Sequence, residues 1–189
     1  METKNNNSVP KYIYFVIPAI LALMYFYAAF IDTSPAEKVV EDFYDAYFSR
    51  DYARVAQNLS VFWAVQFLPQ YSTYSPAELL ERREQVIKDI EQVITDIESQ
   101  NKFPSDLTVN IEKKYSQKGK NSAIVAYSFI ENGQKQHMEM AILIYEKGAF
   151  RIISFYPVSQ EELQNITKED MKNLDEQFSS LLNNKPARL

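Results

Sequence analysis

The side chains with the most chemical potential cluster in the second half of the chain. His137 and Glu139 stand two residues apart on a predicted strand, so they share a face, as a base and the group that orients it would. Tyr127 and Tyr145 can supply phenols, and Asp42, Asp45 and Glu139 are the carboxylates placed to turn inward. Abstracting a proton beside a carbonyl needs a carboxylate in apolar surroundings, opposed by acid or phenol donors that stabilise the enolate. The plainer reading is favoured. A His-x-Glu just after a turn serves as an exposed cross-strand polar pair, and Asp42 and Asp45 fall on the wet side of a helix whose Phe43 and Tyr44 face inward. No catalytic residue is assigned. Trp63, Tyr127, Tyr145, His137 and Glu139 are the candidate ligand-binding set.

Several chemistries are absent. The chain has no cysteine and one histidine, which excludes disulfides, thiolate sites, a cysteine nucleophile and multi-histidine zinc sites. No Gly-rich phosphate loop, Gly-x-Ser-x-Gly elbow or clustered metal carboxylates can be read. No metal and no cofactor is expected. The net charge of −5 comes without a basic block, so nucleic acid is not an expected partner. Hydrophobic residues at 46% and aromatics at 14% of 189 residues suit one packed domain with an appendage.

The appendage precedes the domain. Tyr12 to Ile31 carry no charge, and a run of roughly 20 apolar residues crosses a ~30 Å hydrocarbon core. Tyr12, Tyr14, Tyr25 and Tyr27 lie where interfacial aromatics sit, and Pro18 is tolerated with a kink. Lys4 and Lys11 before the span, against Lys38 after it, predict a cytoplasmic N-terminus and an outer domain; the single-span design and the absence of cysteine suggest a bacterial cell envelope. Ser34-Pro35-Ala36 loosely matches a signal cleavage site, but the apolar run exceeds the usual signal core.

The domain should then open with helices. Ser34-Pro35-Ala36-Glu37 reads as a capping box, followed by Val39, Val40, Phe43, Tyr44 and Tyr47 on one face. Ser49-Arg50-Asp51 breaks the helix, and a second runs from Tyr52 to Leu59. Val61 to Pro69 is apolar on nearly every side, which predicts a buried third helix; a pocket wall or a surface dipping into a bilayer are the alternatives. Ser75-Pro76-Ala77-Glu78 opens a helix predicted to run unbroken to about Gln100. Its wide apolar stripe suits packing on a sheet, with dimerisation as the alternative.

Strands follow at Leu107 to Ser116, Ser122 to Glu131, Gln134 to Glu146 and Ala149 to Pro157. The three glycines, Gly119, Gly133 and Gly148, fall in the gaps. Short gaps predict an antiparallel meander, with Asn132-Gly133 as its tightest turn. Ser159 opens one or two C-terminal helices, with Thr167 as the point of restart, which cover the sheet or bind a partner. The fold class is therefore α+β: an N-terminal transmembrane helix, helices packed on a curved four-stranded antiparallel meander, and a C-terminal helix. The segments are a tail at 1–11, the span at 12–31, the domain at 32–157 and an extension at 158–189.

Two stretches resemble the nuclear transport factor 2-like (cystatin-like cone) superfamily. Val39 to Tyr52 is similar to its opening helix, polar break and second helix. Ile142 to Ile152 is similar to its late hairpin, where an acidic-Gly turn precedes an aromatic, a basic and an aliphatic residue. The resemblance implies a cone-shaped domain, and the superfamily spans ketosteroid-isomerase and SnoaL-type enzymes, small-ligand binders and accessory domains of membrane-anchored bacterial proteins. The leading expectation is a non-catalytic interaction or assembly domain capturing an envelope protein through the long or C-terminal helix, with Phe178 and Leu181 as contacts and a homo-oligomer as a variant. The alternative is a cone that binds a small apolar ligand, and, behind it, an isomerase-like enzyme.

Overall fold

A computed structural model describes residues 16–23, 35–99, 101, 104 and 106–183. The chain forms two compact units, Met1–Ser34 and Pro35–Leu189. In the first, residues 16–23 are helical. The rest of the expected span at 12–31 lies outside the described residues, as do the tail at 1–11 and Ser34 of the first capping box. Among the described residues, no helix is long and apolar enough to cross a membrane.

The second unit begins with α1 (Pro35–Phe48), α2 (Tyr52–Asn58) and α3 (Val61–Phe67). In α1, Ala36, Val40, Phe43 and Tyr44 are buried, the three-and-four spacing of a single helical stripe. Arg50 ends the run in the left-handed region at φ 60°, and Asp51 then caps α2 by accepting from Arg54 N. Ser60 caps α3 in the same way through Phe62 N. Between these two short helices the chain touches the sheet: Ser60 N donates to Ile152 O at 2.8 Å. α3 is not buried all round as its sequence suggests. Val61, Phe62 and Ala64 are buried, whereas Val65 and Phe67 are 37% and 52% exposed.

The long helix is also divided. α4 (Pro76–Glu81) starts at the expected Ser75 capping box, Arg82 leaves helical geometry at ψ 17°, and α5 (Arg83–Glu98) restarts. The break directs Arg83 inward, where it pairs with Glu146 and donates to Gln57 O at 3.0 Å. Val86, Ile87, Ile90 and Ile94 of α5 are buried, and α5 packs on α2 and α3. Its apolar stripe is thus used within the domain, against helices instead of the sheet.

The sheet is antiparallel throughout. β1 (Thr108–Ile111) and β2 (Gln117–Lys118) both pair with β3 (Ser122–Glu131), followed by β4 (Gln134–Glu146) and β5 (Ala149–Pro157). Of the predicted first strand at Leu107 to Ser116 only Thr108–Ile111 is strand; a 3-10 turn at Lys113–Tyr115 ends it, and β2 beyond it makes the sheet five-stranded, where four strands are expected. Ser116 Oγ fills the gap by accepting from Ala126 N at 3.2 Å. Asn132 and Gly133 both take positive φ, 52° and 71°, the primed turn that matches strand twist. The register slips by one residue near Ser128/Ile130 and again near Ile142/Leu143. Such bulges bend strands, and here they curve the sheet around the helices.

After β5, capping boxes at Ser159 and Thr167 start α6 (Gln160–Asn165) and α7 (Lys168–Leu182). Met171 and Phe178 are buried, and Leu174 and Leu181 pack on the core. α7 lies against β3 and α4. Asp175 fixes it there by accepting from Asn121 N, Ser122 N and Ser122 Oγ at 2.6–2.9 Å. Gly119 permits the close approach, since a Cβ there would lie 2.4 Å from Asp175 Oδ1.

Candidate functional site

Between the opening helices and the curved sheet lies a cavity of about 500 Å³, well within the range of small-molecule sites. α1 supplies Phe43, Tyr44, Tyr47 and Phe48 to its wall. Phe43 packs on Phe155 of β5 at 5.0 Å between ring centroids, and Tyr44 meets Phe129 of β3 edge-on at 5.3 Å. The outward half of α3 contributes Trp63 and Phe67, stacked at 4.3 Å. That stack explains why an apolar helix leaves Phe67 half exposed: it forms one lip of the opening. Ile97, 62% exposed, forms another.

Polar groups reach this apolar space at two places. Glu139 of β4 lines the wall, opposite Tyr127 in the β3–β4 register. The fully buried Tyr127 hydroxyl donates to Glu139 Oε2 at 2.7 Å, and Tyr44 and Tyr127 hydroxyls are 2.7 Å apart. With the Tyr127 proton committed to a carboxylate, Tyr44 is the donor in the second bond, so the chain runs Tyr44 to Tyr127 to Glu139. Burial above all pushes both phenols above their ordinary range; they stay protonated, and each donates one hydrogen bond along the chain. At the second place, Glu98 closes the end of α5. Burial and then a hydrogen bond to Glu98 push the Tyr47 phenol up as well.

The structure thus joins some of the expected residues and separates others. Trp63 and Glu139 line the cavity and Tyr127 stands directly behind it. His137 sits outside, its side chain 62% exposed, with Nε2 3.3 Å from Glu139 Oε1 and its ring 4.8 Å from Phe129. Tyr145 does not line this cavity: it is 40% exposed and packs edge-on against Phe150 beside the Lys147-Gly148 turn. Asp42 is paired with Lys38 on the surface at 3.4 Å and Asp45 is exposed, so neither faces the cavity. Tyr44, Tyr47 and Glu98 line the cavity and lie outside the candidate set read from the sequence. The signal for Tyr44 was its place on the inward stripe of α1, because a buried phenol needs a hydrogen-bond partner.

A second buried carboxylate lies on the same strand. Glu146 accepts from Ser60 Oγ at 2.7 Å, from Val61 N at 3.4 Å and from Arg83 Nη1. Its side chain has no exposure at all. Burial raises its affinity for a proton, while Ser60, Arg83 and Val61 pull the other way. Arg151 adjoins the pair, with Nε buried and lacking a partner among the described residues; burial and then Arg83 pull its guanidinium down. This cluster touches no cavity wall described above. Among the described residues, no group of three acidic or histidine side chains is placed to hold a metal ion.

No family model, no curated protein and no solved structure matches this chain.

Proposed function

We propose that the Pro35–Leu189 unit binds a small, mainly apolar molecule in the cavity between α1, α3, the end of α5 and the sheet. We also propose that residues 12–31 tether it to a membrane with the domain on the extracytoplasmic side. The resemblance to the nuclear transport factor 2-like superfamily is part of the same reading. The observation that carries it is the cavity itself: about 500 Å³, walled by aromatic rings, entered by few polar groups and open at Phe67 and Ile97. Well-packed interiors do not leave such a volume empty without losing contacts.

Two competing readings have less support. Capture of a protein through the long or C-terminal helix needs a free apolar face, but α5 spends its stripe on α2 and α3 and α7 packs Phe178 and Leu181 against the domain. Isomerase-like catalysis needs donors that oppose the base. Here the Tyr127 and Tyr44 protons run in a chain that ends on Glu139, so they solvate the carboxylate instead of polarising a substrate.

The ligand reading is tested with the neutral, fluorescent apolar dye Nile red on the full chain. Dye uptake should be saturable and should be suppressed by Ile97→Trp, which fills the mouth from an exposed position. Non-saturable uptake, or uptake unchanged by Ile97→Trp in a chain that melts normally, overturns it. The tether predicts that the full chain resists alkaline extraction from membranes while a chain lacking residues 12–31 is released; release of both would refute the tether.

A further inference from the structure

Resting on that reading, we infer that the ligand is a cationic amphiphile: an apolar body bearing an ammonium group. The first ground is the charge of the wall. Both ionisable side chains of fixed sign among its described residues are acidic, Glu139 and Glu98, and no lysine or arginine is among them. An anionic headgroup, such as a fatty-acid carboxylate, would meet two like charges in a site of low polarity, where repulsion is weakly screened.

The second ground is the way Glu139 is prepared. Its Oε2 accepts from Tyr127, which Tyr44 supports in turn. Two neutral phenols kept protonated by burial solvate the carboxylate without neutralising it. The side chain retains 22% exposure and His137 Nε2 lies 3.3 Å from its Oε1; a carboxylate offers about four acceptor sites, so with Tyr127 and His137 counted, capacity is left for an ammonium donor. A ligand alcohol would use one such site; an ammonium adds charge to the same bond, and charge-assisted bonds are roughly twice as strong.

The third ground is the rings around it. The faces of Tyr44, Tyr47 and Trp63 carry negative quadrupoles, and such walls attract cations as well as apolar chains. Phe129, in the wall, packs on the His137 ring at 4.8 Å, and His137 Nε2 lies 3.3 Å from Glu139 Oε1. His137 is 62% exposed and lies outside the lining.

The test uses three probes of one chain length, octylamine, octanol and octanoate, on the full chain held in a nonionic amphipathic polymer. The reporter is built in: Trp63 is the single tryptophan of the chain and lies in the wall. Octylamine is expected to bind at least about tenfold more tightly than octanol, with octanoate the weakest of the three; tenfold corresponds to ~1.4 kcal/mol. Glu139→Gln, which can still accept from Tyr127, should bring octylamine down to the level of octanol and leave octanol unchanged. Equal binding of the three probes overturns the cationic preference and leaves the ligand site standing. Tightest binding of octanoate, or an octylamine advantage that survives both Glu139→Gln and Glu98→Gln, also overturns it. If none of the probes moves the Trp63 emission while Nile red is also excluded, the ligand site itself falls.

Discussion

Glu139 and Glu146 belong to the same strand, and both are held by hydrogen bonds in the interior, yet they do opposite things. Glu146 is sealed: Ser60, Val61 and Arg83 surround it and no surface of its side chain meets solvent. It ties the α2–α3 junction and the start of α5 to the end of β4. Glu139 accepts from Tyr127 at one oxygen, has His137 Nε2 3.3 Å from the other, and lines an aromatic cavity. A carboxylate whose bonds are all spent inside the protein acts on stability. One whose bonds are half spent at a cavity wall is free to act on a ligand.

This contrast should be easiest to break at Glu146. Glu146→Ala removes the counter-charge of Arg83 and leaves Arg151 beside it, which should cost about 3–5 kcal/mol in urea unfolding. Replacing the pair together, Arg83→Met with Glu146→Leu, should recover most of that loss, because apolar packing can stand in for a buried pair. Failure of the double variant to recover would mean that the cluster serves something besides stability.

The next largest effect belongs to the tyrosine chain. Tyr127→Phe strips the donor from Glu139 and the acceptor from Tyr44, and should cost about 1–3 kcal/mol. Tyr145→Phe, on a half-exposed ring, should stay within ~0.5 kcal/mol. Equal costs would place the two tyrosines in like surroundings, against the burial described above. Glu139→Gln should be nearly silent in stability, below about 1 kcal/mol since Tyr127 keeps an acceptor, while changing ligand affinity.

The smallest effect is at the surface of α7. The hydroxyl and N–H of Thr167 hold the Asp170 carboxyl below its ordinary value. A depressed carboxyl contributes stability above its unfolded pKa and loses it as pH falls through the folded one. Acidification below about pH 4 should therefore destabilise the native chain slightly more than Asp170→Asn, as read from melting temperature against pH. Parallel curves would remove the cap from the account.

How much of this the sequence discloses depends on how local each cause is. The capping boxes at Ser75, Ser159 and Thr167 are written within four consecutive residues each, and all three form. The Asn132-Gly133 turn is as local, and the strand pairing follows from it. The break at Arg82 carries no glycine or proline; it accompanies the pairing of Arg83 with Glu146, 63 residues away. The same limit governs the site. Trp63, Tyr127 and Glu139 could be chosen by type and strand position, but the bond between Tyr44 and Tyr127 spans 83 residues. Tyr145 qualifies by type, as a strand phenol, but its place beside the turn, packed on Phe150, sets it apart from the cavity.

The most direct test of the cavity as a ligand site is native mass spectrometry of the full chain purified gently from its own source. The account predicts a reproducible mass excess of small-molecule size, present in the native chain and lost in Ile97→Trp. A chain of bare polypeptide mass that also fails to retain added octylamine or Nile red would contradict it.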